Sequence, residues 1–129
     1  MGAKGRGSAN AATVMAAAMV VLVLVQCGVT SAATTYTVGG TGGWTFNVVG
    51  WPKGRRFRVG DTLVFNYNSA FHDLVPVNKA AYDSCSAPAS SKVLHSGNDQ
   101  VKLRRGTSYF ICSFPGHCQG GMKIAVTAT

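Results

Sequence analysis

An all-β fold, a sandwich or barrel of short strands, is what the sequence predicts for residues 34–129. Two observations carry that reading: apolar residues alternate with polar ones, and Gly/Pro turn signals recur between the alternating runs. A third is the scarcity of helical periodicity. Along the chain, Leu63, Phe65 and Tyr67 alternate with Val64, Asn66 and Asn68, the pattern of a half-buried strand. Val101 and Leu103 stand between Gln100, Lys102 and Arg104, and Ile124 and Val126 between Lys123, Ala125 and Thr127. The breaks fall at Gly39-Gly40, Gly42-Gly43, Trp51-Pro52-Lys53-Gly54, Gly60-Asp61, Gly97-Asn98-Asp99 and Gly106. One helical turn is expected around Asn78–Tyr82, and no internal repeat, low-complexity tail or linker follows residue 34.

The first 33 residues predict an address rather than a domain. Lys4 and Arg6 precede the apolar run Ala16–Val25, and Ser31, Ala32 and Ala33 offer a signal-peptidase site. The run is short for a membrane span. Cleavage after Ala33 would send the protein out of the cell and leave 96 of the 129 residues, enough for one small domain. It would also remove Cys27, leaving Cys85, Cys112 and Cys118. Three cysteines in an oxidising compartment leave one thiol over. The count closes if Cys85 and Cys118 pair and Cys112 serves as a metal thiolate. A Cys112–Cys118 pair would instead consume the best thiolate ligand.

The 12 Lys and Arg, less Lys4 and Arg6, stand against four Asp and no Glu, a net charge of +6 for the expected mature part. Lys53, Arg55, Arg56 and Arg58 form one cluster and Arg104-Arg105 another. Such charge suits nucleic acid, but secretion argues against that partner. An acidic redox partner or polyanionic cell-wall polymers fit the expected compartment, and a solvated basic surface with no specific partner is the plain alternative.

The segment Cys112-Ser-Phe-Pro-Gly-His117-Cys118-Gln-Gly-Gly-Met122 carries the chemistry. Its Pro and Gly residues make it a tight loop, in which side chains five residues apart can converge. A thiolate, an imidazole and a thioether at Cys-x4-His-x4-Met spacing supply three of the four ligands of a His2CysMet blue copper centre. Zinc also takes Cys/His clusters, and a Met after a glycine pair can be core filler. The second histidine is predicted to be His72, which follows the strand Leu63–Tyr67 and leads into Leu74-Val75-Pro76-Val77. His95 lies in a polar, turn-rich stretch where a solvent-exposed histidine is expected.

Tyr36-Thr-Val-Gly-Gly, Gly42-Gly-Trp-Thr-Phe, Trp51-Pro-Lys-Gly, Phe65-Asn-Tyr, Tyr109-Phe-Ile-Cys-Ser-Phe-Pro-Gly-His-Cys and Gly121-Met-Lys-Ile together resemble the phytocyanins. Among these plant cupredoxins the chain is most similar to the plantacyanin, or basic blue protein, subgroup. The resemblance spans residues 34–129. It implies a Greek-key sandwich or flattened barrel with one type 1 copper ion at one end. It implies copper ligands at His72, Cys112, His117 and Met122, a Cys85–Cys118 disulfide, and electron transfer without enzymatic activity. It also implies that His117 is the electron port. No Pro/Ser stalk or lipid-anchor signal follows Thr127-Ala-Thr129, and there is no Asn-x-Ser/Thr sequon, so a soluble, monomeric, unglycosylated extracellular protein is expected.

One position departs from the family pattern. Asn often follows the first copper histidine, and this chain has Asp73. An ionised carboxylate cannot donate the hydrogen bond that an amide can, so the substitution bears on the reduction potential rather than on copper binding. Two other function classes are weaker. An oxygen-handling copper enzyme needs an open position or more metal centres than three histidines can build. An extracellular binding or signalling module with incidental copper would have no need of a complete ligand set.

Overall fold

The computed structural model describes residues 32–129. The expected leader lies, all but its last two residues, outside that range. Six strands make up two sheets: β1 (Thr35–Thr37), β2 (Thr62–Asn66), β3 (Val75–Val77), β4 (Asn98–Lys102), β5 (Gly106–Ile111) and β6 (Lys123–Ala128). One sheet has the order β1-β2-β4 and the other β3-β5-β6. The sheets are open, not a closed barrel, and the chain crosses between them after β2, β3 and β4. β1 runs parallel to β2, and every other pairing between the strands is antiparallel. No helix among the described residues is long and apolar enough to cross a membrane.

The alternation in β2 and β6 turns one face of each inward. Leu63 and Phe65 are fully buried, as are Ile124, Val126 and Ala128 to within 1%. Between the sheets, Trp44 meets Phe65 edge-on at 5.2 Å and Phe65 meets Phe110 at 5.1 Å, ordinary geometry for aromatic pairs that dominate a small core. One strand lacks a clean alternation of buried and exposed residues. In β5, Phe110 and Ile111 are adjacent and both buried, each facing a different apolar cluster. Pro76 cannot donate to a ladder, and β3 accommodates it by lying at its sheet's edge.

The helical turn expected around Asn78–Tyr82 is α1, Lys79–Ser84, two residues longer at its C-terminal end. Asn78 caps it by accepting from the Ala81 N–H at 2.9 Å, which satisfies a donor that the first turn leaves without an intrahelical partner. Gly39 shows why a turn signal is needed: its φ is +76°, and a Cβ there would sit 2.0 Å from the Gly43 oxygen. Three of the four aspartates are buried, and each is matched by donors. Asp61 accepts from the Thr34 and Arg58 N–H groups at 2.8 and 2.9 Å. Asp99 accepts from Ser96 Oγ at 2.7 Å and from the Tyr67 hydroxyl.

β2, β5 and β6 all run the length of the sandwich. β2 ends, β5 ends and β6 begins at the same end, beside the residues described next. Six residues of β5 at about 3.3 Å each separate that end from the other by about 20 Å.

Candidate metal centre

His72 leaves β2 through the turn Asn68–Phe71. Its own N–H donates to the Asn68 carbonyl at 3.0 Å, and Asn68 Oδ1 accepts from the Ala70 N–H at 2.9 Å. The next residues are clamped from two sides. Trp44 Nε1 donates to the Asp73 carbonyl at 2.9 Å, and Leu74 exchanges paired backbone hydrogen bonds with Leu94 at 2.8 Å. The buried tryptophan thus holds the His72 segment as well as filling the core.

The loop from Cys112 to Met122 connects β5 to β6 and is stitched by its own backbone. The N–H of His117 donates to Phe114, that of Met122 to His117, and that of Cys112 to Met122, all at 3.0–3.1 Å. Gly121 takes φ +83° at the point where the loop passes the Asn47 backbone. Cys118 is disulfide-bonded to Cys85 at the C-cap of α1, and Cys112 is left as a free, buried thiol.

These two segments bring His72, Cys112 and His117 together, with one ligating atom from each lying within 4.8 Å of the others. His72 Nδ1 stands 3.1 Å from His117 Nδ1, which stands 3.6 Å from Cys112 Sγ. The sulfur side is dry and the imidazole side is not: Cys112 is 1% exposed, while both histidines are partly exposed. Met122 is fully buried in the same core cluster as Cys112 and is bonded through its backbone to both Cys112 and His117. His95 is exposed and outside the donor cluster.

Electrostatics prepares the donors. Burial pushes the Cys112 thiol above its ordinary range, while backbone N–H groups of Asp73 and Phe114 directed at the sulfur act the other way and favour thiolate. His72 is held below the usual histidine range, first by burial and then by His117, with Asp73 opposing. A neutral imidazole keeps a lone pair free for a metal. Asp73 turns its carboxylate onto Ser113, accepting from that residue's N–H at 2.6 Å and from its hydroxyl. The aspartate therefore ties the two ligand-bearing segments together as an acceptor, and its backbone N–H still reaches the sulfur. Two imidazole nitrogens and a thiolate, with a thioether beside them, form a set that suits a soft or borderline metal.

Phe46 and Phe114 were not singled out as site residues by the sequence, although both lie in its distinctive motifs. Phe46 packs 4.7 Å from the His117 ring and 5.9 Å from that of His72, and Phe114 stacks on His117 at 5.6 Å. Phe46 is 42% exposed and Phe71, next to His72, is 62% exposed, so the partly exposed histidines sit in an apolar rim. Phe114 is carried by the ligand loop itself, three residues before His117, whereas Phe46 and Phe71 come from other segments and no spacing rule connects them to it.

The sequence model of the plastocyanin-like domain matches residues 44–122, the span that runs from the buried tryptophan to Met122. The chain belongs to this family. It is 62% identical over 93 residues to a basic blue protein of Cucumis sativus, covering 72% of this chain and 97% of that one. Over 126 residues it is 55% identical to a chemocyanin of Lilium longiflorum, covering 98% of each. The solved structure of a cucumber basic protein, described as a blue copper protein, superposes with a TM-score of 0.73 at 60% identity, covering 74% of this chain and all of that one. The resemblance to basic blue proteins read from the sequence agrees with these findings.

Proposed function

We propose that the chain is a secreted type 1 copper protein that carries single electrons, with His72, Cys112, His117 and Met122 as its ligands. The observation that supports it most is the convergence of two imidazoles and a buried thiol within 4.8 Å, next to a fully buried methionine. Copper supplies a one-electron couple between its cupric and cuprous forms. Cys112 contributes the strong sulfur donor, and the Asp73 and Phe114 N–H groups temper its charge. His72 and His117 would supply two nitrogen donors to the ion that Cys112 holds, and Met122 would add a weak thioether donor. The backbone bonds across the Cys112–Met122 loop and the Trp44 clamp keep these side chains from rearranging between oxidation states. His117, partly exposed between Phe46 and Phe114, offers a route between solvent and the buried sulfur 3.6 Å away. Electron carriage rather than enzymatic turnover is the reading that the likeness to blue copper proteins supports. Residues 1–33 are read as a cleaved leader and 34–129 as the extracellular copper domain.

Visible absorption and electron paramagnetic resonance of copper-loaded protein test this reading. An intense visible band should appear, Cys112→Ser should abolish it, and His95→Ala should leave it intact. A colourless cupric complex would refute the proposal. Bleaching by His95→Ala but not by His72→Ala would refute the ligand assignment.

A further inference from the structure

The fold gathers six of the basic residues, Arg55, Arg56, Arg58, Lys102, Arg104 and Arg105, at the end of the sandwich remote from the metal centre. Arg58 precedes β2, and the β2–β4 register places Thr62 opposite Lys102, with Arg104-Arg105 leading into β5. The two basic segments are adjacent in space. The Gly60 N–H donates to the Leu103 carbonyl at 3.0 Å, and the Leu103 N–H donates to the Asp61 carbonyl at 2.7 Å, so Arg58 and Arg104 flank one backbone pairing. Arg55, Arg56, Arg58, Lys102, Arg104 and Arg105 are all exposed. The local aspartate does not offset them: Asp61 is 2% exposed and spent on the Thr34 and Arg58 N–H groups.

The cations line consecutive open clefts. One holds Arg55, Arg56 and Arg58 with Thr127 and Thr129. Another holds Lys92, Lys102 and Arg104 with Gln100, Thr107 and Ser108. Thr107 and Thr127 are hydrogen-bonded to each other at 2.9 Å, which joins the two clefts into one track. Neutral hydrogen-bonding side chains therefore lie among the cations along this path. Neither a compact anion nor a stacked base fits this chemistry. The path is too long for the first, and the aromatic rings lining these clefts, Phe57, Tyr109 and Phe110, are buried or half-buried and offer no open platform of the kind base recognition relies on. Membrane insertion would need an apolar wedge, and Val59 is the one exposed large apolar residue here.

We propose that this track binds a linear acidic polysaccharide, with Lys and Arg matching its carboxylates and Gln, Thr and Ser its hydroxyls. The arrangement separates tethering from redox exchange by the length of the strands, so that the histidine end stays free while the other end is held. The inference does not depend on the copper reading.

Retention of the copper-loaded protein on immobilised polygalacturonate, measured against salt, is the test. Retention should weaken by about tenfold or more between roughly 50 and 200 mM salt, because exposed charges are screened over about 8–10 Å and counterions are released from a linear polyanion. Arg55→Ser/Arg56→Ser/Arg58→Ser and, separately, Arg104→Ser/Arg105→Ser should each weaken low-salt retention by about tenfold, with the visible spectrum unchanged. Thr41→Asp/Asn98→Asp changes net charge by the same two units as the Arg104/Arg105 pair, but at the metal end, and should cost far less. Equal loss in that control would show that net charge alone acts and would overturn the track. Salt-independent retention would overturn it as well. Tighter retention on poly-glutamate or single-stranded DNA than on polygalacturonate would overturn the assignment to a carbohydrate.

Discussion

Removing the Cys85–Cys118 disulfide by changing both cysteines to alanine perturbs the unfolded chain more than the folded one. The bond spans 33 positions, with Cα atoms 5.6 Å apart, within the usual range for a disulfide. In the chain-entropy treatment, a closed loop of that length lowers the entropy of the unfolded state enough to contribute about 3.7 kcal/mol. Cys118 also packs with Val75 and Ile111 in a small buried cluster, so its truncation adds a modest packing loss. For a domain of this size each kcal/mol moves the melting temperature by about 4–8 °C, which gives an expected fall of about 15–30 °C. Calorimetry of the metal-free protein is the cleaner assay, because bound metal adds stabilisation of its own to both forms. A fall of less than about 5 °C would refute the reasoning. It would mean that the unfolded chain without the bond retains enough structure for the covalent link to restrict it little.

The Met122 thioether and one half-buried hydroxyl give further tests. Met122→Gln exchanges a soft thioether for a harder oxygen, which favours cupric ion. The potential should fall by about 59 mV for each tenfold change in relative affinity while the colour persists, and an unchanged potential by voltammetry would make Met122 a packing residue only. Tyr67 donates to the Leu94 carbonyl at 3.1 Å and to Asp99, and burial followed by that carboxylate pushes its phenol far above the ordinary value. Its stabilising effect is therefore complete below the unfolded-state value of about 10 and is lost as pH rises beyond it. Tyr67→Phe should cost about 1–3 kcal/mol at pH 7, and the gap to the parent protein should narrow above pH 10; a gap that widened there in denaturant titrations would contradict the linkage.

Much of the architecture was legible in local pattern. Alternation at Leu63–Tyr67 and Ile124–Val126 marks strands because one face of each is buried against the opposite sheet, and that requirement is written residue by residue. β5 was not legible in the same way. Its two terminal apolar residues serve different clusters, and only the packing of both sheets shows which face each one occupies.

The chemistry divides similarly. Cys112, His117 and Met122 were readable because one short loop carries all three, and Cys85 with Cys118 because cysteine is scarce. The approach of His72 across 45 positions to His117, the Trp44 clamp on Asp73, and the packing of Phe46 on His117 depend on loops that meet only after the sheets have stacked. Asp73 shows the difference at a single residue. Sequence identifies it as a carboxylate in place of an amide, whereas its role as acceptor for Ser113 follows from 40 positions of chain folding back on themselves. The joining of two basic clusters into one track has the same origin. Periodicity records which side of an element is buried, and it carries no information about which distant element is laid against it.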